Sequence, residues 1–429
     1  MKKGGKAIAS GGFGCLFDPP LKCKNENNSI PNSVKYVSKL MTQKNATAEY
    51  DEIEKIKYIL EKIPNYQNFF LVNGFTICNP MPLTKTDLEN FSKCTSLKKK
   101  KFTEDNINSK IDELAILNMP FGGEPVDNFL KKHFNNQFLI LVNNSLIDLL
   151  VNGIVPMNNL GIYHCDIKDS NILVNIDESG LKSRLIDWGL SFEYTETNKG
   201  ITHSVYRRPF QYNVPFSIIL FSDDFIKLYS SFLNSLENGP NYYEIRIFVI
   251  NYIFYWNEKR GPGHLDTINE MFHKFELRNL KQIKKSEIKN HIIEYDFTYY
   301  YIVEYISRIL EKYTLDKSIN LVEYFDYIFL KNLDIWGFII TYIALYERIF
   351  DYVKNLSISQ KRVLNQLKYI FIHFLFENPI KPINIDELVN ELTKLGKMIE
   401  NMDTNVKGGK SHKKYKLISF KKKTMKKRN

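Results

Sequence analysis

Eight consecutive residues, His164-Cys165-Asp166-Ile167-Lys168-Asp169-Ser170-Asn171, set an imidazole, a carboxylate, an ammonium and a carboxamide at the spacing H-x-D-x-K-x-x-N. Sixteen residues after Asn171 comes Asp187-Trp188-Gly189, preceded by the apolar run of residues 184–186. Carboxylate and carboxamide oxygens suit a hard divalent cation, and an ammonium beside them suits phosphate oxygens. Near the N-terminus, Ala9-Ser10-Gly11-Gly12-Phe13-Gly14-Cys15-Leu16 supplies glycine, the residue used where a backbone must approach a ligand closely or take positive φ. Each piece alone is common: GGFG is an ordinary hairpin turn, and a lysine in a strand is normally a solvated edge residue. The order in which they occur is informative.

The octet and Asp187-Trp188-Gly189 together resemble the catalytic loop and the metal-binding D-F-G of protein kinases. Residues 9–16 are similar to the family's G-x-G-x-F-G-x-V, with Ala9 at the first glycine and Leu16 for the valine. Val37-Ser38-Lys39 falls where the nucleotide-binding lysine is expected, and its partner should be a Glu early in the next helix. Glu49 and Glu52 each precede an apolar residue by four, whereas Glu54 faces away. Glu49, in line with Ile53 and Ile56, is the better candidate, and Glu52 is the alternative. A hinge is expected near Asn118-Met119-Pro120-Phe121, with Asp127 opening the following helix. Over its first 190 residues the chain therefore resembles the eukaryotic-type Ser/Thr protein kinase superfamily.

The resemblance implies a phosphotransferase that uses ATP and Mg²⁺. Ile8, Ala9, Ser10, Gly11, Gly12, Phe13, Gly14, Cys15 and Leu16 would cover the nucleotide, and Met119 would border it. Lys39, held by Glu49, would bind the α- and β-phosphates, and Asn171 and Asp187 would hold Mg²⁺. Asp166 would orient the acceptor hydroxyl and take its proton, and Lys168 would stabilise the transferred group. A lysine two positions after the acid points to Ser/Thr acceptors, and His164 would be structural. The departures fall elsewhere. Cys165 replaces the usual arginine, and Trp188 replaces phenylalanine. The nearest match to A-P-E is Arg208-Pro209-Phe210, without the Glu. The D-x-W-x-x-G of the family has no clean counterpart, and Asp223 or Asp224 is the candidate for its acid. Because all four phosphate- and metal-contacting positions are filled, an active enzyme is favoured over a nucleotide-binding pseudokinase scaffold. Small-molecule kinases of the aminoglycoside or choline type share H-x-D-x-x-x-x-N, but Lys168 and the Phe-containing glycine loop argue against them.

The elements needed to position these groups can be read from periodicity. Residues 6–17 read as strand–turn–strand and 34–41 as another strand. Residues 48–63 carry Ile53, Ile56 and Leu60 at helical spacing. FFLVNGF (69–75) and ELAILNM (113–119) read as strands on either side of a polar Lys-rich loop at 92–110. Residues 137–160 form a long apolar-periodic segment, and 172–175 with 184–187 form a hairpin. Helices are expected over 216–236, 242–257, 296–313, 334–355, 358–376 and 385–401. The expected fold class is α+β. It is a two-lobed protein-kinase-like fold with a small β-rich N-lobe (1–121), an enlarged helical C-lobe (122–400) and a disordered basic tail (401–429).

Composition agrees with a folded body. Of 429 residues, 44% are hydrophobic and 14% aromatic, which excludes wholesale disorder. The net charge of +11 resides in residues 407–429, which hold 11 Lys or Arg and no acid and leave the rest balanced. Such an arm suits an anionic partner: nucleic acid, an anionic surface or an import receptor. Its end, and the segment 207–217, resemble divergent protein-kinase-like proteins of large nucleocytoplasmic DNA viruses. Five scattered cysteines without a C-x-x-C pair suggest a reduced, intracellular protein, placed in host cytoplasm, nucleus or virion. The longest apolar runs, 335–345 and 248–256, are too short to span a bilayer, so no transmembrane segment is expected.

Overall fold

Five antiparallel strands open the chain: β1 (Lys6–Ser10), β2 (Gly14–Asp18), β3 (Tyr36–Thr42), β4 (Thr76–Cys78) and β5 (Leu114–Pro120), in the spatial order β1-β2-β3-β5-β4. The computed structural model describes residues 5–24, 35–178, 180–195, 200–280, 297–352 and 355–404; the basic run expected to form a disordered arm lies outside them. β3 is central and sealed on both faces, so successive side chains serve different cores. Lys39 lies opposite Leu16 and Leu117, while Leu40 lies opposite Cys15 and Ile116. The helix α1 (Gln43–Leu60) follows β3 directly and buries Ala46, Glu49, Ile53, Ile56 and Leu60, a face spaced by three and four as expected.

Two local expectations need correction. Residues 69–75 form no strand of this sheet. Phe70 makes a single bridge to Leu185, with Leu71 N donating to Leu185 O at 3.0 Å, and tethers the sheet to later residues. The Lys-rich stretch 92–110 is not a loose loop. Its lysines face outward, while Phe91, Cys94, Leu97, Phe102 and Ile107 pack against Ala7, Cys15, Phe17 and Leu40 and cover the outer side of the sheet. The short helix α2 (Thr95–Lys99) lies in this cover.

The cysteines depart further from expectation. Disulfides join Cys15 to Cys94 and Cys23 to Cys78, across 79 and 55 residues; the first ties β2 to the cover and the second ties the segment after β2 to β4. Pairs so distant leave no spacing signal in the sequence. Only Cys165 is a free cysteine among the described residues, and it is buried. Thiol titration of the native protein should therefore find no reactive thiol, and titration after denaturation without reductant should find one. Reducing both bridges should cost about 2–4 kcal/mol each, read as a lower denaturant midpoint.

The chain then turns predominantly helical, giving a mixed α+β protein. β6 (Glu124–Pro125) edges the expected hairpin of β8 (Ile172–Asp177) and β9 (Gly180–Leu185), and β7 (Ile162–Tyr163) pairs with β10 (Phe192–Glu193). Helices α3 (Val126–Lys132), α4 (Asn136–Asp148) and α5 (Val155–Asn159) precede the octet. The segment expected as one helix over 216–236 is a 3₁₀ turn, Phe216–Leu220, then α6 (Asp223–Asn234), capped by Ser222. After it come α7 (Tyr242–Arg260), the unanticipated α8 (Leu265–Leu280) and α9 (Phe297–Tyr313). A 30-residue helical stretch, Leu321–Phe350, follows and contains α10 (Leu321–Tyr324) and α11 (Leu330–Ile340); α12 (Ile343–Tyr352), α13 (Ile358–Phe371) and α14 (Ile385–Glu400) complete the chain order.

α11 is buried on all sides except at Lys331, as expected of a helix apolar all round at the centre of a core. The Phe216 and Trp336 rings each lie within 5.7 Å of both Tyr305 and Phe376, centroid to centroid, so the described helices after residue 260 share this core. Asn136–Asn159 and Leu321–Phe350 are long and apolar enough to cross a membrane by composition, unlike the shorter runs counted in the sequence. In the second, 94% of the apolar window is buried inside the protein, which makes it a core helix, and no transmembrane segment is clearly indicated.

Candidate active site

The β1–β2 hairpin folds its turn over β3. Gly11 N donates to Gly14 O at 2.9 Å, and the space beside Gly11 ends 4.0 Å away on Lys39 Cε. Gly14 is a steric necessity: a Cβ there would stand 2.6 Å from Met41 Cγ and 2.8 Å from Leu40 O. Gly12 faces open space. The exposed Phe13 reaches down so that its Cε2 lies 3.9 Å from where a Gly189 Cβ would be. Leu16, opposite Lys39, shares its face of the sheet; Ile8 and Ala9 are exposed on β1. Cys15 points to the opposite face, into its disulfide, and can offer a ligand only backbone. Ser10 is likewise committed, accepting from Ser96 N at 3.1 Å and Thr95 Oγ1 at 3.2 Å.

Beneath the turn, Lys39 Nζ donates to both Glu49 oxygens, at 2.6 and 2.8 Å. Asp187 Oδ1 lies 3.6 Å away on the other side. Burial disfavours the charged lysine, but the Asp187 and Glu49 carboxylates outweigh it and hold its pKa above the ordinary value. Glu52 and Glu54 lie off the buried face of α1, and Glu54 pairs with Lys57. Met119, at the end of β5, is half-buried and packs on the main core; Asn118 turns the other way and accepts from Ser38 Oγ at 2.6 Å.

The 164–171 loop converges on Asp166. Its Oδ2 accepts from Lys168 Nζ at 2.8 Å and Asn171 Nδ2 at 3.0 Å, and its Oδ1 accepts from Asn213 Nδ2 at 2.9 Å. Burial alone would raise its pKa; Lys168, then Asn213, carry it below the ordinary carboxylate value. Asn171 Nδ2 also donates to Asp166 O at 2.8 Å, leaving Oδ1 available as an oxygen ligand. Two links join this group to Asp187. His164 Nε2 lies 2.9 Å from Ile186 O, and Ile186 N donates to Asn171 O at 3.0 Å. Lys39, Glu49 and Asp187 thus form one group and Asp166, Lys168 and Asn171 another, and the backbone of Ile186 links the two. Among the described residues no three His, Cys, Asp or Glu side chains converge as a complete metal cage. A hard cation at Asn171 and Asp187 would draw the rest of its oxygen shell from phosphate and water, which is how Mg²⁺ is usually held.

The loop is anchored by a residue that the sequence reading missed. Asp334, on α11 and fully buried, accepts from His164 N, Cys165 N and Asn158 Nδ2, each at 2.8 Å. Those bonds hold Cys165 at φ 61°. Trp336 Nε1 donates to Tyr212 O at 3.0 Å, and a Cβ on Gly337 would stand 2.4 Å from Ile167 O, so only glycine lets the helix come this close. Asp334, Trp336 and Gly337 thus hold α11 against this loop. Asp223 and Asp224 instead make surface pairs with Arg207 and Lys259. Arg208 is buried and donates to Cys165 O at 3.1 Å, and Asn213 also escaped notice. Burial pushes the Cys165 thiol up to about 12 although Arg208 opposes it, so the thiol is inert. No known protein family matches this chain, and no curated protein matches it either.

Proposed function

We propose that the chain is an ATP- and Mg²⁺-dependent Ser/Thr protein kinase of the two-lobed kind, its lobes meeting near residue 121. The observation that carries this reading is a pair of polar groups, Lys39–Glu49–Asp187 and Asp166–Lys168–Asn171, linked through the Ile186 backbone, with a glycine-rich turn set against Lys39. Phosphoryl transfer asks a protein mainly to position and to neutralise, and these residues are equipped for both. Lys39, kept cationic and aimed by Glu49, binds non-transferring phosphate oxygens. Asn171 Oδ1 and the Asp187 carboxylate hold Mg²⁺, which when bound neutralises phosphate charge. Asp166, ionised and oriented by Asn213, accepts the proton of a serine or threonine hydroxyl. Lys168 supplies positive charge at the reacting group. Ile8 and Leu16 above, and Met119 at the edge, border the nucleotide base.

Replacing Lys39 by Met tests this. Transfer of ³²P from ATP to protein hydroxyls should fall at least about 100-fold, compared where the variant is still folded, because Glu49 is left buried without its cation and the denaturation midpoint should fall too. Full activity in that variant would sink the assignment. A second reading, a nucleotide-binding scaffold without turnover, is favoured by Phe13, whose ring lies 3.9 Å from the Cβ position of Gly189, two residues after Asp187. It predicts thermal stabilisation by ATP with no transfer at any Mg²⁺ or Mn²⁺ concentration.

The tail 407–429 is proposed to bind an anionic partner, whether nucleic acid, anionic surface or import receptor. Its 11 cations should make binding to a DNA duplex weaken steeply between 50 and 200 mM salt, by about 10³-fold or more, and a chain ending at residue 406 should lose that binding. Intracellular action in host cytoplasm, nucleus or virion remains part of the proposal. The two disulfides weigh towards the virion, since reducing compartments seldom retain such bonds.

A further inference from the structure

The four residues between α7 and α8 form a tight turn, with Gly261 at φ 80° and Gly263 at φ 57°. The turn is pressed onto the 208–213 segment. A Cβ on Gly263 would lie 2.2 Å from Phe210 O, and His264 N donates to Phe210 O at 2.8 Å. The grip holds the backbone at His264, and its ring sits 5.3 Å from the Tyr212 ring, centroid to centroid. Tyr212 precedes the Asn213 that orients Asp166, and Lys168, Asp166 and Arg208 all lie within electrostatic range of the imidazole.

The two ring nitrogens differ. Nδ1 is sealed from solvent with no hydrogen-bond partner. An orphaned N–H there would be the costlier state, so the proton of the neutral ring resides on Nε2. Burial, then Lys168, hold the ring pKa below its ordinary value; Asp166 opposes and Arg208 adds to the lowering. The ring is therefore neutral at pH 7. Nε2 makes no hydrogen bond among the described residues, and the half-buried ring lies within electrostatic range of Asp166, the acid that would face the acceptor hydroxyl.

We infer that His264 is a positioning residue of the acceptor subsite, its Nε2–H donating to a backbone carbonyl of the protein substrate next to the Ser or Thr being modified. This rests on the kinase reading above and deepens it. The residue lies outside every motif read in the sequence and comes from the helical region that the resemblance did not require. It touches no phosphate or metal position, so it acts on acceptor binding alone.

The full-length protein and the best Ser-containing peptide from a peptide array provide the test. His264→Phe keeps a ring against Tyr212 but removes the donor. It should raise KM for the peptide about 10-fold and leave KM for ATP and peptide-independent ATP hydrolysis unchanged. His264→Gln, which returns a donor near Nε2, should recover most of the loss, and His264→Leu guards against misfolding from the bulk of Phe. An unchanged peptide KM in both the Phe and Leu variants overturns the inference. So does an equal rise in KM for ATP, or a Gln variant as poor as Phe. If the wild type neither transfers phosphate nor hydrolyses ATP, the kinase reading itself fails and takes the inference with it. Transfer by wild type with no effect at position 264 leaves the kinase reading standing alone.

Discussion

Replacing Asp166 by Asn is expected to slow phosphoryl transfer by about 10²–10⁴-fold, the usual worth of a positioned general base. The geometry also predicts a small structural cost. Both carboxylate oxygens accept hydrogen bonds, from Lys168 and Asn171 on one side and Asn213 on the other. An amide can present only one acceptor, so one donor is left facing a donor, worth about 1 kcal/mol. The variant should therefore fold with a slightly lower melting temperature and still be stabilised by ATP. Because Lys168 and Asn213 hold the acid below its ordinary value, the wild-type rate should not fall through this group between pH 7 and about pH 5. A variant that keeps more than a tenth of the wild-type initial rate would remove Asp166 from the reaction.

Asp334→Ala should produce the largest loss of stability of any single change considered. It strips the acceptor from His164 N and Cys165 N, both buried, while Asn158 Nδ2 keeps its bond to Ile162 O. Unsatisfied buried donors cost about 1–3 kcal/mol each, so a total near 3 kcal/mol or more should appear as a lower urea midpoint at unchanged slope. Transfer should fall as well at temperatures where the variant is still folded, since the strained turn at Cys165 loses what holds it. Asp334→Asn should be intermediate, because it keeps one acceptor but turns an amide donor towards a donor. A midpoint change worth less than about 1 kcal/mol in the Ala variant would mean that the loop is held by something else.

What could be read from sequence was whatever is local. Asp166, Lys168 and Asn171 lie within six residues, and Asp187 follows at a fixed short interval across a hairpin. Glu49 was singled out because helical periodicity placed it with Ile53 and Ile56, and the structure puts it on that buried face, bonded to Lys39. What stayed hidden is non-local. Asp334 sits 170 residues from its partner, and no short-range spacing links the two. The disulfides bridge segments with no mutual spacing rule. The cover over the sheet was masked by its lysines, whose number drew attention away from Phe91, Leu97, Phe102 and Ile107. The strand expected at 69–75 failed because an apolar run packs equally well as irregular backbone between two layers. His264 and Asn213 have no motif; only a folded chain brings them to the acid.

The anchoring of the 164–171 loop by Asp334 has a consequence for how the protein is made. Translation proceeds at about 5–20 residues per second, so the interval between the emergence of His164 and that of its acceptor is on the order of 10–30 s. Throughout that time the nascent chain can complete its sheet and close both disulfides, yet it has no means of fixing the turn at Cys165. A chain released before α11 therefore lacks the carboxylate that accepts from His164 N and Cys165 N, and the turn at Cys165 can be fixed only once residue 334 has been added.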